Sequence, residues 1–185
     1  MKVFTKKNAV LFLLLVALDV AARLTPHAPN FTPLAATALF ASFLFESSAL
    51  AALVPGLALG ISDCFLGAYD WRIMISVYAS LAFPVLLRRY LKADLAAGRI
   101  FGSALVSSIL FFAATNFAVW SFAGFYTRDL HGLLQCYLAA IPFFQNTLAG
   151  DIVWTAALFG SYAVARKLVS ALHGSRQWAA INALN

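Results

Sequence analysis

Charge is what this sequence has least of. Only 11% of its 185 residues are Asp, Glu, Lys or Arg, against 63% hydrophobic residues. Soluble domains carry about 25% charged and roughly 45–50% apolar residues. A water-soluble fold would have too little polar surface here to cover its core. Cysteine is scarce as well. Cys64 and Cys136 are the only two, which excludes a disulfide framework. No CxxC, HExxH, GxSxG or P-loop occurs, and there is neither a pair of glutamates nor a pair of histidines at helical spacing. These absences exclude the familiar zinc, serine-hydrolase and ATP-driven chemistries. The chain reads as a non-enzyme with no catalytic residues, no metal and no cofactor.

What is present is a succession of apolar runs, with a mean hydropathy of +0.85. A membrane-spanning helix takes about 20 mostly apolar residues. The runs predict an all-α polytopic membrane protein with a single transmembrane domain over 1–185. Six spans are expected, at about 8–23, 34–46, 49–67, 73–88, 100–123 and 147–166. The segment 132–144 is too short to cross and contains Pro142, so it predicts an interfacial helix on the outer side. The stretch 24–33 holds Pro26, Pro29 and Pro33, which lack donors and bias the residues before them to extended shapes. It predicts a loop. The N-terminus, with Lys2, Lys6 and Lys7 before an apolar run, has the pattern of a signal peptide. Because the rest is equally apolar, an uncleaved first helix is the preferred reading.

The formal net charge of +6 does not point to nucleic acid, because the basic residues stand at the ends of the apolar runs. Ten (Lys2, Lys6, Lys7, Arg88, Arg89, Lys92, Arg99, Arg166, Lys167 and Arg176) fall on the N-terminal side of the predicted topology. Three, Arg23, Arg72 and Arg128, fall on the other. By the positive-inside rule both ends face the cytoplasm of a bacterial inner membrane. This count needs two short helices within 34–67, meeting at Glu46–Ser48. A single span there would turn the basic loop at 88–99 outward.

Polar side chains at membrane depth are costly and mark functional positions. They gather toward the outer side: His27, Asn30, Asp63, Asn116, Gln135, Asn146 and Asp151. With Trp120, one helical turn beyond Asn116, and Cys64, beside Asp63, they are the candidate ligand-binding residues of an outward-facing pocket. Each has a structural alternative. Asp63 reads as a ligand contact or as an interfacial carboxylate paired with Arg23 or Arg72. Thr147, Asp151 and Thr155 share one helix face; alternatively Asn146 caps a helix with Asp151 near its positive end. Asn116 is a ligand contact or a bridge between helices. His131 and Gln135 could line a lid or lie at the interface. Ala17 and Ala21 form a small-xxx-small face, as do Ala52, Gly56 and Gly60. Such a face serves internal packing or a partner protein.

Four stretches, RLTPHAPNFTPLAATALF at 23–40, LGISDCFLG at 59–67, FFAATNFAVW at 111–120 and LLQCYLAAIPFFQNTLAGD at 133–151, resemble an uncharacterised bacterial family of membrane transport proteins. That family is similar to the substrate-binding S-components of energy-coupling factor (ECF) transporters. The resemblance implies a six-helix protein that captures a vitamin or related micronutrient from outside. It also implies docking through an AxxxA face, matched by Ala17 and Ala21, on a coupling protein with separate ATPases. Some solitary S-like proteins bind cobalamin through a cysteine, for which Cys64 would be the candidate. The expected partners are therefore a small-molecule ligand, the lipid bilayer and an ECF-type module. The alternative is a non-transporting membrane scaffold of the rod-shape morphogenesis type, with a membrane enzyme third.

Overall fold

The structure, a computed structural model, describes residues 5–93 and 96–182, except for the side chains of 93 and 173–182. Lys2 and the side chain of Arg176, both part of the basic count, lie outside the described residues. Helix α1, Lys6–Leu24, opens where Thr5 Oγ1 accepts from the Asn8 amide at 3.2 Å. The three prolines keep the next nine residues out of a helix, as their chemistry predicts. Helix α2, Leu34–Leu44, starts directly after Pro33. Ser47 caps α3, Ser48–Leu66, which ends at Gly67 with a φ of 96°. Asp70 caps α4, Trp71–Ala82, and also forks onto the Arg72 guanidinium at 2.6 and 3.0 Å. Those hydrogen bonds pull the Asp70 carboxyl down to about 2. A 3-10 turn at Phe83–Leu87, where Pro84 cannot donate, joins α4 to α5, Arg88–Ala93. Helix α6 spans Ala97–Phe122 and α7 spans Leu130–Asn182.

With α4, the 3-10 turn and α5 taken as one rod, the described residues form six rods that alternate in direction. Asp19 near the end of α1 meets Thr37 near the start of α2 at 2.7 Å. At the other end Phe12 packs on Phe45, with ring centroids 6.3 Å apart. Arg23 and Asp63 join the late turns of α1 and α3, while Arg88 reaches Ser48 at the start of α3. Helix α2 lies at the centre, with eight of its eleven residues buried. Its lower end packs Phe40 and Phe43 against Phe159 and Tyr162 of α7. The basic residues 88, 92 and 166 collect at that end, and Arg23 and Arg72 at the other. Large apolar side chains such as Leu13, Phe65, Leu86 and Leu138 face outward, as lipid requires.

Two expectations are corrected. Four helices, not six, have the length and composition to cross a membrane: α3, the rod Trp71–Lys92, α6 and the Leu130–Leu172 part of α7. Helix α1 has nineteen residues but carries Lys6, Lys7, Asp19 and Arg23. Helix α2, at eleven residues, is about 16 Å long, roughly half of a 30 Å hydrocarbon core. The apolar run at 34–46 is buried as a core helix rather than exposed to lipid.

The separate interfacial helix at 132–144 does not exist. It is the first part of α7, which runs through Pro142 without a break. Packing on α6 holds it there on both sides of the proline. Tyr137 Oη donates to the Ala113 carbonyl at 2.6 Å, and Phe112 sits against both Tyr137 and Phe144. Among apolar neighbours a broken helix would leave more backbone groups unpaired than a single proline does. Asn146 therefore caps nothing, and Asp151 lies twenty-one residues into the helix.

The turn before α7 is tight. Asp129 accepts from the Gly132 amide at 2.7 Å, and a Cβ at Gly132 would stand 2.0 Å from the Thr127 carbonyl oxygen. Gly132→Ala should lower the stability of the detergent-solubilised protein by about 1–3 kcal/mol, the scale of overpacking. An unchanged melting temperature would contradict this turn.

Candidate functional site

The loop between α1 and α2 folds over α7 at Gly150. A Cβ there would meet Phe31 Cα at 3.2 Å and the Thr32 amide nitrogen at 3.4 Å. A side chain there would push the loop away by a few tenths of an ångström. Asn30, in the left-handed region at φ 63°, turns the loop inward, a conformation asparagine tolerates better than most residues.

Under this loop is a cavity of about 220 Å³. Its polar lining is Arg23, His27, Asn30, Thr32, Thr147 and Asp151. Its apolar lining comes from Leu34, Ala35, Leu66, Val77, Leu81 and Phe111. A second chamber, also about 220 Å³, shares Asn30, Val77, Phe111 and Thr147 with the first. It adds the aromatic rings of Phe112, Phe143 and Phe144, with Thr115 and Asn116 as its other polar groups. The two chambers adjoin at these four shared residues, charged and hydrogen-bonding in one part and aromatic in the other. Small-molecule sites commonly have this composition.

The charges are held by specific partners. Arg23 Nη2 donates to Asp63 Oδ1 at 2.6 Å, and Tyr78 Oη donates to the other carboxylate oxygen at 3.2 Å. Both charged side chains are largely buried, at 17% and 7% exposure. Among the described residues Arg23 Nε has no hydrogen-bond partner. Asp151 accepts from Ser108 Oγ on α6 at 2.6 Å. His27 Nδ1 lies 2.6 Å from the Thr25 carbonyl oxygen, so the proton belongs on Nδ1. The neutral ring then keeps Nε2 as an acceptor. Deeper in the bundle Asp19, fully buried, accepts from Thr37 and keeps one carboxylate oxygen unpartnered.

Four of the nine sequence candidates line the space: His27, Asn30, Asn116 and Asp151. The other five do not. Asp63 stands behind Arg23 as its ion partner. Trp120 donates its Nε1–H to the Thr127 carbonyl at 2.9 Å. Gln135 is exposed, bonds His131 at 2.9 Å and is not among the lining residues. Asn146 is rotated one helical position from the lining Thr147. Cys64 is exposed, its thiol directed to the Gly60 carbonyl at 3.2 Å. Thr147, Asp151 and Thr155 are all buried on one face, as their spacing predicts. Asn116 spends its amide on the Phe112 carbonyl of its own helix, not on a neighbouring helix.

Sequence reasoning did not find Thr32, Val77 or the phenylalanine wall. The one available signal was the doublet FF at 111–112 and again at 143–144. Among the described residues no three His, Cys, Asp or Glu side chains gather as metal ligands.

The chain belongs to a family described as a family of unknown function, DUF6580, whose match covers residues 4–172. No curated protein and no solved structure matches it. The match establishes membership of an uncharacterised family, and its description assigns no activity.

Proposed function

We propose that this chain is the substrate-binding membrane subunit of an importer for a vitamin-like micronutrient. The observation that carries this reading is the bipartite cavity, with Arg23, His27 and Asp151 at one part and a phenylalanine wall at the other. It suits a small molecule that has a flat or apolar body and a polar, ionisable end. The basic end of the bundle lies in the cytoplasm of a bacterial inner membrane, so the cavity opens outward. Helices α1 and α2 form a hairpin that starts and returns on the same side. They therefore leave both termini inside, however deep the hairpin reaches. The chain has no nucleotide-binding motif, and a separate ATPase module supplies the energy. Ala17 and Ala21 are exposed on α1, beside the outward Leu13 and Leu14, and offer a coupling protein close approach. A morphogenesis-type scaffold could use the same face, but it has no need of a lined cavity.

Uptake of a panel of radiolabelled vitamins in cells with and without the gene tests this function. Gene-dependent accumulation of one compound is the expected result, and identical uptake of all compounds would overturn it. Reporter fusions check the orientation: a fusion after Asp70 should read as external, and a fusion after Leu95 as cytoplasmic.

A further inference from the structure

At the end of the bundle opposite the ligand cavity, a cleft of about 460 Å³ separates the first turn of α6 from the later turns of α7. Its two parts differ in chemistry. Ile100 and Phe159, both buried, form an apolar wall with the Tyr162 ring. Arg166 and Lys167, both exposed, form a cationic floor. Among the described residues no acidic side chain lines the cleft. The Arg166 guanidinium lies 6.0 Å from the Tyr162 ring centroid, which places it over the aromatic face. The N-terminus of α6, where the Arg99 and Ile100 amides donate to the Ala96 carbonyl, adds its dipole to the positive potential at the cleft's edge.

The spacing fits an amphiphile. Phe159 and Arg166 are seven residues apart, about 10 Å along the helix. This is the scale that separates a lipid phosphate from the upper part of its acyl chain. A small soluble anion would meet the two cations and leave the apolar wall uncovered. Basic pockets between membrane helices are recognised by anionic headgroups in this way.

We propose that this cleft binds an anionic phospholipid, with its phosphate held by Arg166 and Lys167 and the start of an acyl chain laid along Ile100 and Phe159. The site is separate from the ligand cavity and does not depend on the transport reading. It ties the exposed end of α7 to the membrane surface and fills the gap between α6 and α7 on that side.

Native mass spectrometry of the full chain in detergent tests the proposal, with phosphatidylglycerol and phosphatidylcholine of matched chains as probes. Phosphatidylglycerol should bind at least ten-fold more tightly. The double variant Arg166→Gln/Lys167→Gln should bring the two lipids to within about two-fold. The double variant Lys7→Gln/Arg89→Gln removes the same charge from exposed positions outside the cleft and should leave the preference intact. Glycerol 1-phosphate, the headgroup without chains, should not displace the lipid at a hundred-fold excess. Equal binding of the two lipids by the parent would overturn the site. So would an equal loss in both double variants, which would show general surface electrostatics. Displacement by glycerol 1-phosphate would reassign the cleft to a soluble phosphate ligand.

Discussion

Arg23→Gln should destabilise the protein by about 3–5 kcal/mol, the scale for removing one partner of a buried ion pair. The substitution leaves the Asp63 carboxylate, 7% exposed, with the Tyr78 hydroxyl at 3.2 Å as its remaining hydrogen-bond donor. Asp63→Asn should also lower the melting temperature, because it strands the largely buried guanidinium. The double variant Arg23→Gln/Asp63→Asn removes both charges and should recover most of the loss. Urea or thermal unfolding of the three variants in detergent measures this coupling. Losses that simply add in the double variant would show that the 2.6 Å contact carries no mutual stabilisation. The pair also fixes where the guanidinium that lines the cavity stands. Asp63 itself is not among the lining residues.

Asp151→Asn should do the reverse: large for the ligand, small for the fold. The amide oxygen can still accept from Ser108 Oγ, now 2.6 Å from the carboxylate, so the contact between α6 and α7 survives. What is lost is the carboxyl group that lines the cavity. Hydrogen bonds to charged groups contribute about 1.5–3 kcal/mol, so ligand affinity should fall roughly ten- to hundred-fold. The comparison is between melting temperature without ligand and the amount of small molecule that co-purifies per protein. A variant that melts far lower yet retains as much ligand would make Asp151 a purely structural residue.

The ends of α1 and α2 could be read from the sequence because Pro26, Pro29 and Pro33 act locally. The break at 45–47 was likewise marked by Glu46, Ser47 and Ser48 within an apolar stretch. The extent of α7 could not be read. Pro142 and a short apolar segment both signal an end, and contacts on α6 from residues 113 and 112 override them. The depth of α2 was equally hidden. A lipid-facing helix and one buried among other helices carry the same apolar residues.

The site divides along similar lines. His27, Asn30, Asn116 and Asp151 were conspicuous because the chain around them is so apolar. The aromatic lining was not, since seventeen phenylalanines make any one of them unremarked background. Asn146 and Thr147 are neighbours in sequence, about 100° apart around a helix of 3.6 residues per turn. Which of them faces the cavity depends on the rotation of α7, and that is set by Ser108 and by the glycine contact at Phe31.

A binding subunit of the proposed kind must hold a ligand in the bipartite cavity. The direct measurement is mass spectrometry of the small molecules released from the purified, detergent-solubilised chain, compared with the variant Thr147→Trp. Thr147 lies on the wall shared by both chambers, and an indole there would occupy much of the space. One organic compound should be released in near-stoichiometric amount from the parent and lost from the variant, while the variant remains folded and monodisperse. The same compound retained equally by a folded Thr147→Trp protein would contradict it.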